Sequence, residues 1–168
     1  MMRTIYFDMD GTIANLYEVE NWLPKLIDSD PTPYEEAEPM VNMKDLSGLL
    51  KDLQHKGIRI GIVSWLAKNS TKEYDKAVRT AKRKWLKENI DITFDEIHIV
   101  KYGTRKDYIV RDKNGILFDD ELNNRNKWRG LAIDPTEEDI NEVLRKILMR
   151  WWYDIICLQF WWRYIWNI

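Results

Sequence analysis

The sequence predicts an α/β fold, with a parallel sheet packed between helices, and three observations carry that prediction. Short β-rich runs alternate with segments of helical period along most of the 168 residues. A glycine punctuates the passage from one helix-like segment into the next β-like run. One proline-rich stretch breaks the alternation soon after the first run, as an insertion roofing a sheet edge would.

Residues 4–7 read as the first strand, a run of β-branched and aromatic side chains. Residues 15–42 carry Pro24, Pro31, Pro33 and Pro39 between a short helical segment and an acidic run, and read as a small helical cap. A helix over 44–55 stops at Gly57, just before a strand over 58–63. Over 71–89, Tyr74, Ala77, Val78, Ala81 and Trp85 share one helical face while Lys and Arg cover the other, a solvated surface rather than a nucleic-acid one. Strands over 97–100, 116–118 and 131–133 follow, and helical period resumes from Asp139 through Ile140, Val143, Leu144, Ile147 and Leu148. This order implies a Rossmann-like three-layer α/β/α sandwich. Its core is residues 1–14 and 43–150, its cap 15–42, and its C-terminal tail 151–168.

The chain is long enough for one domain with a real core plus an insertion. With 26 Lys and Arg against 28 Asp and Glu, whole-molecule charge gives no argument for stable nucleic-acid binding, so an anionic ligand has to be held locally. Cys157 is the one cysteine, which excludes an intramolecular disulfide framework, and the opening MMRTIYFDMDG lacks the apolar stretch of a signal peptide. Both point to a cytoplasmic protein.

The chemistry sits at the end of the first strand. Ile5-Tyr6-Phe7-Asp8-Met9-Asp10-Gly11-Thr12 places two carboxylates one residue apart where an apolar strand ends and a glycine lets the chain turn. A lone Asp-x-Asp is more often a solvated turn than a site, but three later segments supply partners. Ile60-Gly61-Ile62-Val63-Ser64 is an apolar strand ending in a hydroxyl. Lys106 opens a helix in Lys101-Tyr102-Gly103-Thr104-Arg105-Lys106. Ile116-Leu117-Phe118-Asp119-Asp120 ends in adjacent acids.

In this order the four segments resemble the motifs of the haloacid dehalogenase superfamily, over about residues 4 to 135. Asp-Met-Asp-Gly-Thr-Ile-Ala-Asn-Leu-Tyr is most similar to its small 5′(3′)-deoxyribonucleotidase-like branch. The resemblance implies that Asp8 is a covalent nucleophile and Asp10 its acid/base partner, and that Ser64 hydrogen-bonds the transferring phosphoryl group. The motif lysine pairs with phosphate and nucleophile. Lys101 competes for that place, and Lys106 is favoured because a strand-to-helix loop lies on the same sheet edge as the other motifs. Asp10 favours a phosphatase over a dehalogenase, and the backbone around Gly11 and Thr12 would donate to phosphoryl oxygens.

Asp8, Asp10, Asp119 and Asp120 would crowd one sheet edge, each close pair repelling by roughly 4 kcal/mol at 4 Å and an effective dielectric near 20. A cation has to sit among them, and oxygen ligands without thiolate or imidazole suit Mg²⁺. His55 and His98 fall in no motif and read as structural or surface residues.

Tyr17 and Trp22 in the cap, and Trp65 after Ser64, are candidates for stacking a base, which favours nucleotides over sugar phosphates. The blander reading of Trp22, with Leu23, Leu26 and Ile27, is cap packing. The leading expectation is thus a Mg²⁺-dependent phosphomonoesterase for (deoxy)nucleoside monophosphates. A phosphatase for another small phosphoester, or a non-catalytic nucleotide binder, are the competing readings. The tail, WWYDIICLQFWWRYIWNI, is apolar nearly all round and needs cover, from its own domain, from a second copy in a homo-oligomer, or from a peripheral membrane contact. Arg150, Asp154, Gln159 and Arg163 argue against a membrane-spanning helix.

Overall fold

A computed structural model describes residues 4–150, so the expectations for the tail 151–168 lie outside the described residues. The chain runs through β1 (Thr4–Phe7), β2 (Ala14–Asn15), a 3-10 turn (Leu16–Glu18), α1 (Trp22–Ile27), α2 (Thr32–Glu36), β3 (Glu38–Pro39) and α3 (Met43–His55). It continues with β4 (Arg59–Trp65), α4 (Lys72–Asn89), β5 (Glu96–Val100), α5 (Lys106–Ile109), β6 (Ile116–Phe118), α6 (Leu122–Lys127) and β7 (Leu131–Ile133). A final helix, α7, occupies residues 140–150.

Five strands form one sheet in the order β5-β4-β1-β6-β7, every pair parallel. The α/β architecture is therefore the expected one. Residue alternation divides the sheet into two faces. Ile5, Phe7, Ile60, Ile62 and Phe118 point to one core, which α3, α4 and α7 close with Leu50, Trp85 and Leu144. Tyr6, Val63 and Leu117 point the other way and meet Val110 and Trp128. That second layer is thin, built from the short α5 and α6 and their loops. Gly61 makes room on this face, because a Cβ there would lie 2.8 Å from the Tyr6 ring, whose hydroxyl donates to Glu96 at 2.5 Å.

Several boundaries differ from the sequence reading, and one helix was missed; α3 begins at Met43 rather than 44. β4 begins at Arg59 rather than 58 and runs on to Trp65, because Ser64 and Trp65 pair with Ile99 and Val100. Ser64 therefore lies within the strand. β5 begins one residue early, at Glu96. The helix α6, Leu-Asn-Asn-Arg-Asn-Lys, has no apolar period to announce it, and is held by Arg125, which donates to the Asp119 and Asp120 carbonyls and pairs with Asp134.

Segment 15–42 has its ends pinned together where Ala14 pairs with Pro39 and Asn15 with Glu38. Its α2 packs on α4: the Trp85 indole donates to the Ala37 carbonyl at 2.6 Å, and the Tyr74 hydroxyl to the Asp30 carbonyl at 3.1 Å. Capping fixes the helices beneath, Thr71 accepting from the Tyr74 amide at the start of α4 and Asn42 from the Asp45 amide at the start of α3. As expected, α3 ends at Gly57, which has the positive φ of 79° that only glycine adopts freely. No helix among the described residues is long and apolar enough to cross a membrane.

Candidate active site

Parallel pairing of β4, β1 and β6 brings three strand ends side by side, and the predicted residues meet there. Asp8 follows β1, Ser64 lies near the end of β4, and Asp119 follows β6. Backbone bonds seat both acids, the Asp8 amide donating to the Phe118 carbonyl at 2.9 Å and the Asp119 amide to the Ile133 carbonyl at 3.3 Å. The Lys106 ammonium, at the start of α5, lies 2.7 Å from Asp8 and 2.6 Å from Asp119. Lys101 stays exposed beyond β5, so of the two candidate lysines it is Lys106 that meets the carboxylates.

Carboxylate oxygens of Asp8, Asp119 and Asp120 lie within 4.8 Å of one another. The Asp10 carboxylate is not among them. It turns instead to the Lys82 ammonium at 2.6 Å, and Lys82 also donates to the Ser64 hydroxyl at 2.9 Å and the Trp65 carbonyl at 2.7 Å. All three protons of Lys82 are thus directed, on a side chain with 0 % exposure.

Lys82 escaped the sequence reading because it belongs to a helix whose other basic residues face solvent. Its signal was its position: it stands four residues after Val78 and three before Trp85, on the apolar stripe of α4. Asn124 was missed as well. Its amide reaches both Asp119 oxygens, at 3.2 and 3.1 Å, and nothing in the polar run around it marks that role.

Gly11 sits at φ 71°, and a Cβ there would come within 2.4 Å of an Asp120 oxygen and 2.7 Å of the Tyr17 ring. The glycine is what lets Asp120 and the cap close over the turn. Thr12 is buried, and its hydroxyl accepts from the Asp120 amide at 3.3 Å. His55 ends α3 on the surface and His98 pairs with Glu96, both away from the cluster.

Four carboxylates and two ammonium groups leave a formal charge of −2 in this pocket when every acid is ionised. An oxygen-only set with that deficit fits one hard divalent cation, held by Asp8, Asp119 and Asp120. Burial disfavours the Asp8 carboxylate, but Lys106 and Lys82 outweigh it and hold its pKa below the ordinary value. Asp10 goes the other way: burial raises its pKa, Lys82 opposes this, and the charge on Asp8 adds to the rise. Burial, then repulsion by Asp8, lifts Asp119 to about 6 and Asp120 to about 7.

These raised values set a pH dependence of stability. The unfolded chain releases its aspartate protons near pH 4, whereas the folded, metal-free protein keeps those on Asp119 and Asp120 until about pH 6 and 7. The folded state therefore binds more protons between those limits, and stability falls as pH rises through the window. Asp8, with its lowered pKa, acts only on the acid side of it. Thermal melting in chelator should drop between pH 5 and pH 7.5, and Mg²⁺ should restore more at pH 7.5 than at pH 5. A melting temperature that climbs over this range without metal would contradict the charge assignment.

Above the acids lies a cavity of about 600 Å³ with Asp8 and Asp10 at its floor and Tyr17, Trp22, Leu23 and Trp65 among its walls. The cap helix α1 has no buried residue: Leu23 is 49 % and Ile27 73 % exposed, because their side chains face this space rather than the core. Tyr17 and Trp22 meet edge to face at 5.2 Å, and Trp65 leans on Tyr102 at 4.9 Å.

No protein-family model matches the chain, and no curated protein matches it. Among solved structures, the D,D-heptose 1,7-bisphosphate phosphatase from Burkholderia thailandensis is similar at 11% sequence identity, with a TM-score of 0.45, over 74% of this chain and 70% of that one. A likeness at that level assigns this chain neither a family nor an activity.

Proposed function

We propose that the protein is a Mg²⁺-dependent phosphomonoesterase of the haloacid dehalogenase type, acting through an aspartyl-phosphate on Asp8, with (deoxy)nucleoside monophosphates as its substrates. The observation that carries this reading is the meeting of Asp8, Asp119, Asp120 and Lys106 at the ends of adjacent strands, beneath a cavity with aromatic walls.

The cation would supply charge neutralisation for the phosphoryl oxygens. Lys106 and the Ser64 hydroxyl orient the phosphate against Asp8, whose lowered pKa keeps it ionised and nucleophilic. An Asp8 oxygen bonds to phosphorus, the bond from phosphorus to the ester oxygen breaks, and Asp10 gives that oxygen a proton. Water then attacks the phosphoryl group and passes a proton to Asp10, the Asp8–phosphorus bond breaks, and inorganic phosphate leaves. The divergence of the two pKa values supports these separate roles, because the raised one belongs to the group that must carry a proton. Stacking between Tyr17, Trp22 and Trp65 is worth about 1–3 kcal/mol per base, which favours nucleotides.

The test is phosphate release from a panel of nucleoside monophosphates and sugar phosphates. Nucleotides should lead by about tenfold or more in kcat/KM, the factor that stacking of that size supplies. Chelating the metal should remove the activity. A panel led by sugar phosphates would overturn the nucleotide assignment, and full turnover in chelator would overturn the metal.

A further inference from the structure

Segments 15–42 and 101–113 both contribute to the rim of the cavity, through Tyr17, Trp22 and Tyr102, and their compositions differ in charge. Segment 15–42 carries seven acids, among them Glu18, Glu20, Asp28 and Glu38, against the single base Lys25. Apart from Lys106, which is buried against Asp8 and Asp119, segment 101–113 carries four bases, of which Arg105 is paired with Asp107 and Arg111 lies 4.0 Å from Glu96. Lys68, Lys101, Lys113 and Lys127 are exposed, and none of them is in an ion pair among the described residues.

Two exposed tyrosines interleave with these cations. Lys68 lies 5.8 Å from the Tyr102 ring, and Tyr102 touches Trp65 in the cavity wall. Trp65 is tied to the next stretch by its indole, which donates to the Thr104 carbonyl at 2.8 Å. Arg105 then stacks 4.2 Å over Tyr108, beside Arg129 at 5.7 Å and Lys113 at 5.9 Å. Arg105 and Arg129 share the Asp107 carboxylate, at 2.8 and 3.4 Å, so the unpaired charge here is that of Lys113, and a small polar cleft joins Trp65 to Lys127. Rings and basic side chains thus form two groups, one at Tyr102 in the cavity wall and one around Tyr108, joined through the Trp65–Thr104 hydrogen bond.

A nucleoside monophosphate uses nothing of this set beyond Trp65, since its phosphate is taken up at Asp8 and its base between Trp65 and the cap rings. A substrate with further phosphates would be repelled by the acidic cap and has one favourable exit, over the basic rim. Alternating rings and cations match the repeat of base and phosphate in a single strand, where stacking holds bases and Lys or Arg neutralise the backbone. We propose, resting on the phosphatase reading above, that the preferred substrate is the terminal phosphomonoester of a short single-stranded nucleic acid, whose chain lies over Tyr102, Arg105 and Tyr108. Binding of this kind is transient and local, which a whole-chain charge near zero does not oppose.

The probes are deoxythymidine octamers phosphorylated at the 5′ or the 3′ end, compared with thymidine monophosphate and p-nitrophenyl phosphate. Wild type should turn over one octamer with a kcat/KM at least tenfold above the monophosphate. That advantage should fall with salt, at a slope of about −0.7 for each phosphate neutralised. Lys113→Glu combined with Lys127→Glu should remove most of the advantage and flatten the slope, while hydrolysis of p-nitrophenyl phosphate stays within twofold. Tyr108→Ala is a second, uncharged test and should cost the octamer severalfold. If no phosphomonoester is turned over, the phosphatase reading fails and the track with it. If the monophosphate is hydrolysed but neither octamer is preferred, or the lysine variants leave the salt slope unchanged, the track alone is overturned.

Discussion

Asp8→Asn is expected to lower phosphate release by at least about 1,000-fold, the order of loss that follows removal of a catalytic nucleophile. The fold should survive the change. Asparagine keeps an oxygen to accept the Met9 amide, which Asp8 now accepts at 2.7 Å, and Lys106 retains Asp119 at 2.6 Å. Removing the charge also relieves Asp119 and Asp120 of the repulsion that helps raise their pKa values, so the fall in melting temperature between pH 5 and pH 7.5 should be shallower in the metal-free variant than in wild type. Wild type quenched during turnover of a radiolabelled substrate should carry label on the protein, and the variant none. Residual activity above a tenth of wild type would remove Asp8 from the role of nucleophile.

Lys82→Met should have the second-largest effect, and a distinctive one. The ammonium holds the Asp10 carboxylate and the Ser64 hydroxyl in register, so its loss leaves Asp10 without a partner and pushes its already raised pKa further up. Turnover of nucleoside phosphates, whose alkoxide must be protonated as it leaves, should fall by about 10²–10⁴, the worth of a positioned acid/base group. With p-nitrophenyl phosphate the first step needs no proton donor, so a burst of nitrophenol should precede slow release of phosphate. The cost in stability should stay below the ~3–5 kcal/mol of a broken buried ion pair, because the Asp10 side chain is 18 % exposed and can take up a proton. Absence of the burst, with the first step slowed equally on both substrates, would make Lys82 a packing residue rather than one that positions Asp10.

The parts of this molecule that were legible in its sequence are those governed by local rules. Thr4–Phe7, Ile116–Phe118 and Leu131–Ile133 are strands as read, because each is a short apolar run that turn chemistry terminates. Asp8, Asp10, Ser64, Lys106 and Asp119 were recognisable because each stands at or beside such an end, and parallel strands necessarily deliver their ends to one edge. What composition hid was tertiary. Lys82 is one of several lysines on α4, and its burial follows from a partner 72 residues away. The direction of Asp10, away from Asp119 and Asp120, likewise depends on that ammonium. The cap's apolar face was visible at Trp22, Leu23 and Ile27, but periodicity cannot say whether a stripe meets a core or a cavity, and here it meets the cavity.

The position of β1 in the middle of the sheet has a consequence for biosynthesis. A nascent chain emerges with Asp8 and Asp10 first, yet the strands that flank them come only at 59–65 and 116–118. The half-sheet β1, β4 and β5 can assemble once Val100 has left the ribosome, giving Lys82 its hold on Asp10 before Lys106 or Asp119 exists in folded form. The Asp119 and Asp120 half of the cluster can join only afterwards, when β6 pairs with the other edge of β1. A polypeptide stalled before that point would hold Asp8 and Asp10 without Asp119 and Asp120, so the three-carboxylate cluster forms only after residue 120 has been made.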